Sequence, residues 1–281
     1  MIIVNGEFLD KVAVAERALQ YGDGCFTTMA FYQGELQLWP QHLARLQHNC
    51  QRLGISFLQW SKLHADLMLL LEKLHIASGV IKIIISRGTG GRGYSPQGVS
   101  EASYIISSHP LPVHYADWQQ QGITLGLSSV RLARQPMLAG IKHLNRLEQV
   151  LIKQALDATT FDDALVCDTE DNIIEASAGN VFWWHKGTWF TPCLAHSGVA
   201  GVMRDTVCQL IASTGQTVRE TNQTMTTSFE AQEMFICNAL MGIVPVNALH
   251  ADELSQQWHF SRDKVNALQV ALRAHLQDSL T

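Results

Sequence analysis

The sequence predicts a protein of mixed α/β or α+β class that is divided into two domains. Strand-like apolar runs such as 80–85 occur in both halves of the chain, with helical periodicity between them. Two prolines interrupt the periodic pattern in the segment 109–122. The length of 281 residues also suits two domains. We therefore expect a small α+β domain at 1–108, a linker at 109–122 and a larger domain at 123–281.

Turn-forming dipeptides and helical spacing define the elements of the first half. Asn5-Gly6 and Gln33-Gly34 predict two hairpins, because such dipeptides tolerate the positive φ angles of tight turns. Pro40 begins a predicted helix, and a second helix follows near 61–75. Two strands then flank a glycine-rich loop. The first helix presents one apolar face, formed by Leu43, Leu46, Cys50 and Leu53.

The second half alternates strands with helices in the same way. Helices are predicted at 144–156, 201–213 and 262–277 from their apolar spacing. A hairpin is predicted at 180–190. The remaining predicted strands are 123–133, 163–168, 173–177, 218–221, 234–239 and 243–248.

Bulk properties exclude several classes of partner. The formal net charge of −5 gives no electrostatic basis for binding nucleic acid or an anionic membrane. The amino terminus lacks the pattern of a signal peptide, and the aliphatic runs are too short to span a bilayer. None of the six cysteines is spaced for a zinc site, so we expect no metal and reduced thiols in a cytoplasmic protein.

Two residues have the right surroundings for covalent and acid–base chemistry. Lys142 follows a small, apolar segment, where partial loss of water would lower its pKa and expose a nucleophilic amine. Glu175 lies between two isoleucines and small residues, where a carboxylate could pair with a protonated ring nitrogen. The alternatives are a surface lysine near a helix start and a strand-end glutamate that faces water.

Two further features could bind anions. The helix that begins at 201–204 presents free N–H groups, which bind phosphate well, and Arg45 could add a guanidinium fork. The glycine-rich loop 88–94 carries Arg92 and could hold a carboxylate. It matches neither a Walker loop nor a dinucleotide fingerprint. An exposed helix arginine and a plain hairpin connection are the alternative interpretations.

Taken together, six blocks resemble the fold-type IV enzymes, which use pyridoxal 5′-phosphate (PLP). This family contains branched-chain and D-amino-acid aminotransferases and aminodeoxychorismate lyases. The blocks occur in the family's order over essentially the whole chain: YGDGCFTT, HLARL, the Lys142 segment, Glu175 with Asn180, GVMRD and MFICNALMGIVPV. The stretches 21–28, 85–95 and 138–151 are most similar to those of bacterial lyases. The aminotransferases usually have glutamate at the position of Thr27.

The resemblance implies a role for each candidate residue. Lys142 would hold PLP as a Schiff base and then move the substrate proton, and Glu175 would pair with the pyridine nitrogen. Thr28 would meet the substrate, together with Arg92 and Tyr94. The cofactor phosphate would be bound by Arg45, Val202, Met203, Asn238 and Ala239. Met203 and Ala239 are the less regular matches, because the aminotransferases often carry hydroxyl side chains at these two positions.

The implied reaction converts 4-amino-4-deoxychorismate to 4-aminobenzoate and pyruvate, a step of folate synthesis. The alternative within the fold is an aminotransferase that acts on D- or branched-chain amino acids. A different class of alternative is a catalytically silent PLP carrier or an interaction module. The resemblance also implies a homodimer with a D-amino-acid aminotransferase-like fold.

Overall fold

The computed structural model describes residues 1–99, 101–226, 229–251 and 255–278. The described helices are α1 Arg17–Tyr21, α2 Trp39–Leu53, α3 Trp60–Lys73, α4 Tyr115–Gln121, α5 Leu147–Leu156, α6 Val202–Ser213 and α7 Asp263–Asp278. The described strands are β1 Ile2–Val4, β2 Gly24–Tyr32, β3 Glu35–Leu36, β4 Ser78–Ser86, β5 Ser103–His109, β6 Ile123–Leu127, β7 Asp163–Cys167, β8 Ile173–Ala176, β9 Asn180–His185, β10 Thr188–Pro192, β11 Val218–Thr221, β12 Glu233–Asn238, β13 Gly242–Ala251 and β14 Gln256–His259.

These elements form two compact units. The first contains Met1–Pro112 and Ile141–Asn145, and the second contains Val113–Gly140 and the described residues from Arg146 onward. Mixed helices and strands confirm the predicted class. The domain boundaries inferred from the sequence stay a prediction. The segment predicted as a linker contains helix α4, which begins three residues after the second proline.

The first unit is built on a five-stranded antiparallel sheet. Its strand order is β1-β5-β4-β2-β3. Helices α2 and α3 supply apolar side chains to the same core as the central strands, which removes their hydrophobic faces from water. That core includes Met29, Leu46, Leu67, Ile81 and Ile106.

Strand β2 places consecutive side chains on opposite faces of this sheet. Cys25, Thr27 and Met29 are buried, whereas Phe26 and Thr28 are partly exposed. This alternation follows from the two-residue period of a strand. The two faces therefore offer different surroundings to Thr27 and Thr28, which are neighbours in sequence.

The second unit contains a nine-stranded mixed sheet. Its main path runs β11-β10-β9-β12-β13-β6-β7-β8, and β14 pairs with β13. The pairs β10–β11, β13–β6 and β6–β7 are parallel, and the other pairs are antiparallel. The core on this sheet includes Trp183, Phe229, Met234, Ile236 and Val244.

The structure departs from the predicted elements at several places: the strand predicted at 123–133 ends at Leu127, and neither α1 nor β14 was predicted. The first predicted hairpin forms only as a tight turn: Asn5 and Gly6 have φ of 52° and 95°, and Val4 and Glu7 exchange backbone hydrogen bonds of 2.8 and 3.0 Å, but the strand pair does not extend beyond them. Strand β1 pairs with β5 instead, and Asn5 Oδ1 accepts a bond from Tyr104 N–H. The predicted helix at 144–156 begins only at Leu147.

Candidate active site

Lys142 lies in a short segment that is bonded to the edge of β2. Phe26 N–H donates to Lys142 O at 2.9 Å, and Leu144 N–H donates to Gly24 O at 3.0 Å. Cys25 and His143 form an antiparallel bridge between these two bonds. This pairing explains why the helix starts late, because an extended backbone at 142–144 cannot also be helical. It also fixes the main chain on both sides of the lysine.

The Phe26 ring lies beside the amines of two lysines, Lys142 and Lys82. Lys142 Nζ is 4.6 Å from the centroid of the Phe26 ring, and Lys82 Nζ is 5.1 Å from the same centroid. Both lysines are half-buried. Thr28 pairs directly with Lys82 across the β2–β4 ladder. Phe26 therefore lies beside Lys142, and Lys82 lies opposite Thr28. The sequence analysis assigned neither Phe26 nor Lys82 to the site.

Arg45 belongs to a buried polar cluster under β2. Its Nη2 donates to Thr27 Oγ1 and lies 3.5 Å from His42 Nδ1. Thr27 Oγ1 lies 2.6 Å from the same His42 nitrogen. A guanidinium only donates hydrogen bonds, so the contacts suit an Nδ1 that accepts and a Thr27 hydroxyl that donates to it. The cluster therefore holds the arginine that we predicted as a phosphate ligand.

His42 is neutral in this cluster. Burial lowers its pKa well below the usual value of 6.5, and the positive charges of Arg45 and Lys142 lower it further. A neutral imidazole can accept from Thr27 while adding no charge beside Arg45. Its three-residue spacing from Arg45 on a helix was a signal in the sequence, because residues three apart share a helix face.

The loop at 88–95 presents Arg92 and Tyr94 to solvent. Tyr94 is 86% exposed, and its ring meets the Tyr21 ring edge-on at 5.4 Å between centroids. Arg92 is also exposed. Both side chains are accessible to a ligand, and their role in substrate binding stays a prediction.

Glu175 lies in the second unit as a buried carboxylate. It is 6% exposed, and its Oε2 accepts a bond from Val199 N–H at 3.0 Å. Gln149 Nε2 approaches Oε1 at 3.5 Å. Arg146 is a further neighbour, whose pKa is lowered by burial and raised by Glu175 and Glu148. The Glu175 carboxylate thus has a main-chain N–H donor and a buried guanidinium among its neighbours.

Helix α6 begins three residues after Val199, whose N–H donates to the Glu175 carboxylate. Gly201 caps the helix without a side-chain hydrogen bond, and Val202 and Met203 are buried in the first turn. First-turn N–H groups have no acceptor within their own helix. Ser197 is 4% exposed, and its Oγ has no hydrogen-bond partner among the described residues. This region can therefore still donate several hydrogen bonds to an anion.

Asn238 uses its side chain within the β12–β13 turn. Its Nδ2 donates to Ala178 O at 2.9 Å, and its Oδ1 accepts from Leu240 N–H and Met241 N–H at 2.8 Å each. These bonds occupy the Asn238 side chain, and the phosphate contact that we predicted for Asn238 and Ala239 stays a prediction.

The comparisons with known proteins identify the family. The model for class IV amino-transferases matches residues 24–249. The chain belongs to this family. An aminodeoxychorismate lyase of Vibrio harveyi is 42% identical over 90% of this chain and 93% of its own length. A putative branched-chain aminotransferase of Methanocaldococcus jannaschii is 28% identical over 87% of this chain and 86% of its own.

Solved structures of class IV members share the whole fold. The crystal structure of 4-amino-4-deoxychorismate lyase from Pseudomonas aeruginosa superposes with a TM-score of 0.90, at 36% identity, over 98% of this chain and 99% of that chain. Branched-chain aminotransferase of Escherichia coli superposes with a TM-score of 0.83 at 24% identity, over 98% and 94% of the two chains. The second likeness shows the fold alone.

Proposed function

We propose that this class IV protein is a PLP-dependent lyase that converts 4-amino-4-deoxychorismate to 4-aminobenzoate and pyruvate. The observation that carries the proposal is the half-buried Lys142, whose main chain is bonded to β2 and whose amine lies over Phe26. The choice of reaction follows the relatives, since the 42% identity to a lyase exceeds the 28% identity to an aminotransferase over a similar share of the chain.

The residues of the structure fit PLP in charge and in hydrogen-bonding capacity. In the first unit, Lys142 supplies the amine and Arg45 a cation. In the second, the buried carboxylate of Glu175 suits the ring nitrogen, and the uncapped turn at Val202 and Met203 suits the phosphate. The unpartnered Ser197 Oγ is the observation that speaks for a missing polar group. When bound, PLP withdraws electrons from the substrate carbon that bears nitrogen.

The chain's own residues supply the proton transfers. Lys142 Nζ takes the proton from the substrate carbon that bears nitrogen in this proposal, because its half-buried amine, beside Phe26, is the base that the predicted site supplies. Thr28 lies on the same face of β2 as Phe26, and we assign to its hydroxyl the donation of a hydrogen bond to the departing enolpyruvyl oxygen. Proton loss at carbon and departure of that oxygen make the ring aromatic, and the enolpyruvyl group becomes pyruvate.

A homodimer in the cytoplasm completes the proposal. Large apolar side chains of Leu147, Val150 and Leu151 are exposed on α5, which supports contact with a second copy. All six cysteines are free, which suits a reducing compartment. No described helix is long and apolar enough to cross a membrane. Analytical ultracentrifugation of the holoenzyme tests this part, and a monomer at micromolar concentration would contradict it.

Product analysis tests the reaction itself. The holoenzyme is incubated with 4-amino-4-deoxychorismate, and the products are followed by mass spectrometry. We expect equimolar 4-aminobenzoate and pyruvate, and neither product from the Lys142→Ala variant. Exchange of amino groups between an amino acid and a 2-oxo acid, with no 4-aminobenzoate, would favour the aminotransferase instead. Cofactor absorbance with no turnover of any amine would favour a silent carrier.

A further inference from the structure

A buried arginine outside the predicted site holds the loop that carries Arg92. The Arg17 side chain is only 4% exposed, and arginine is seldom buried unless it is paired. Its Nη1 donates to Gly93 O at 3.2 Å and to Ser95 O at 3.3 Å, and its Nη2 donates to Tyr94 O at 3.1 Å. One planar guanidinium therefore bonds the main chain of three consecutive loop residues.

The guanidinium is itself held in one orientation. Arg17 Nε donates to Asp23 Oδ2 at 2.7 Å, and Arg87 Nε donates to the same oxygen at 2.8 Å. Burial disfavours the Asp23 carboxylate, but the hydrogen bonds from Arg87 and Arg17 outweigh it and keep its pKa below the usual range. The Arg17 guanidinium also lies 4.9 Å from the centroid of the Tyr21 ring, which touches the ring of Tyr94.

We propose that Arg17 is a positioning residue for substrate recognition. It fixes the 88–95 loop so that Arg92 and Tyr94 are presented to a substrate that carries carboxylates. The identity of that substrate rests on the proposed function. A glycine-rich loop without such a frame would have to be ordered by the substrate, and the ordering cost would weaken binding. Arg17 touches no reacting atom in this proposal and acts through Arg92.

Arg17→Lys and Arg87→Lys form the first matched pair of variants. Lysine keeps the charge beside Asp23 but lacks the planar fork that bonds several carbonyls. Arg87 shares the Asp23 carboxylate, and its Nη atoms donate to Leu53 O and Gly54 O instead of the loop. Hydrogen exchange of peptides from 88–99, measured without substrate, should accelerate about ten-fold in Arg17→Lys and stay unchanged in Arg87→Lys.

The same pair separates binding from turnover. In Arg17→Lys the apparent KM for 4-amino-4-deoxychorismate should rise about ten-fold, which corresponds to about 1.4 kcal/mol. Its kcat should stay within about two-fold of the wild-type value, since the proton transfers are untouched. PLP content and its absorbance should equal those of the wild type.

Two glycine variants provide a test that does not alter a buried charge. Gly91 and Gly93 both have positive φ, 77° and 58°, so alanine is strained at either position. A Cβ on Gly91 would lie 2.6 Å from Ser95 O and 3.0 Å from Arg17 Nη1, whereas a Cβ on Gly93 meets nothing within 4 Å. Gly91→Ala should therefore raise loop exchange and KM more than Gly93→Ala does.

Three results would overturn the proposal. Unchanged loop exchange in both Arg17→Lys and Gly91→Ala would show that the guanidinium does not hold the loop. Faster exchange with an unchanged KM would show that the held conformation does not serve substrate binding. A lower kcat and a lower PLP content together with the higher KM would show that Arg17 acts on folding in general. A wild-type enzyme that makes no 4-aminobenzoate would instead refute the proposed function, while the substrate-free exchange data would still test the loop contact.

Discussion

Replacing Glu175 with glutamine tests the electronic role of this carboxylate. The side chain is 6% exposed, and its Oε2 accepts from Val199 N–H at 3.0 Å. An amide oxygen can still accept that bond, but the charge-assisted bond becomes neutral, a loss of about 1 kcal/mol in the free energy of unfolding. We therefore expect Glu175→Gln to fold and to retain PLP.

The effect of Glu175→Gln on kcat should be much larger than its effect on the free energy of unfolding. A neutral amide cannot stabilise a protonated ring nitrogen, so removal of the substrate proton loses its main electrostatic support. Losing one positioned electrostatic contact of this kind costs about a hundred- to a thousand-fold in kcat. The assay is a single-turnover measurement of 4-aminobenzoate formation at saturating substrate and cofactor, together with the absorbance of bound PLP.

Glu148→Gln is the matched control, because Glu148 is the other carboxylate that acts on buried Arg146. Glu148 Oε1 accepts from Ala133 N–H, a bond that a glutamine oxygen can keep, so this variant removes mainly the negative charge that acts on Arg146. The reasoning is refuted if Glu175→Gln keeps kcat within about two-fold of the wild type, or if both variants slow equally. The second result would mean that the effect runs through Arg146.

Three further changes test the first unit. Lys142→Ala should abolish turnover and cofactor absorbance, and borohydride reduction with peptide mapping should place the pyridoxyl group on Lys142 and not on neighbouring Lys82. Thr28→Val should lower lyase kcat about ten- to a few-hundred-fold with PLP absorbance intact, whereas Arg92→Ala should mainly raise KM; proportional loss of lyase and transaminase activity in both would refute this split. Because the pKa of His42 is depressed below 6.5, the unfolded state takes up the proton first, so the free energy of unfolding should fall as pH drops below about 6.5. Urea titrations should show a flatter profile for His42→Asn.

Local signals predicted much of the fold. The apolar spacing of Leu46, Cys50 and Leu53 places α2 at 39–53, as observed, because one helix face must leave water. Gln33 and Gly34 turn with φ of 51° and 86°, as their residue types indicated. The resemblance of six blocks to the class IV family is confirmed by the match over residues 24–249.

Contacts between distant segments could not be predicted from those signals. The pairing of 142–144 with β2 joins residues more than a hundred positions apart, and no periodicity in either segment specifies the other. The hydrogen bonds from Arg17 to the 88–95 loop also join segments that are distant in sequence. Helix α1, which begins at Arg17, has only five residues, too few for a periodic pattern. The sequence analysis identified Arg92 from its glycine-rich loop but did not identify Arg17, which bonds the main chain of that loop.

The two adjacent threonines of β2 have different neighbours because they lie on opposite faces of the strand. Thr27 faces α2, where its hydroxyl bonds both Arg45 and His42. Thr28 faces the opposite side with Phe26 and pairs with Lys82. A glutamate at 27 would put a carboxylate against Arg45 and compete with a phosphate for its guanidinium. A threonine hydroxyl accepts a bond from Arg45 and adds no negative charge beside it. We therefore expect position 27 to act on cofactor binding and position 28 on the fate of the substrate.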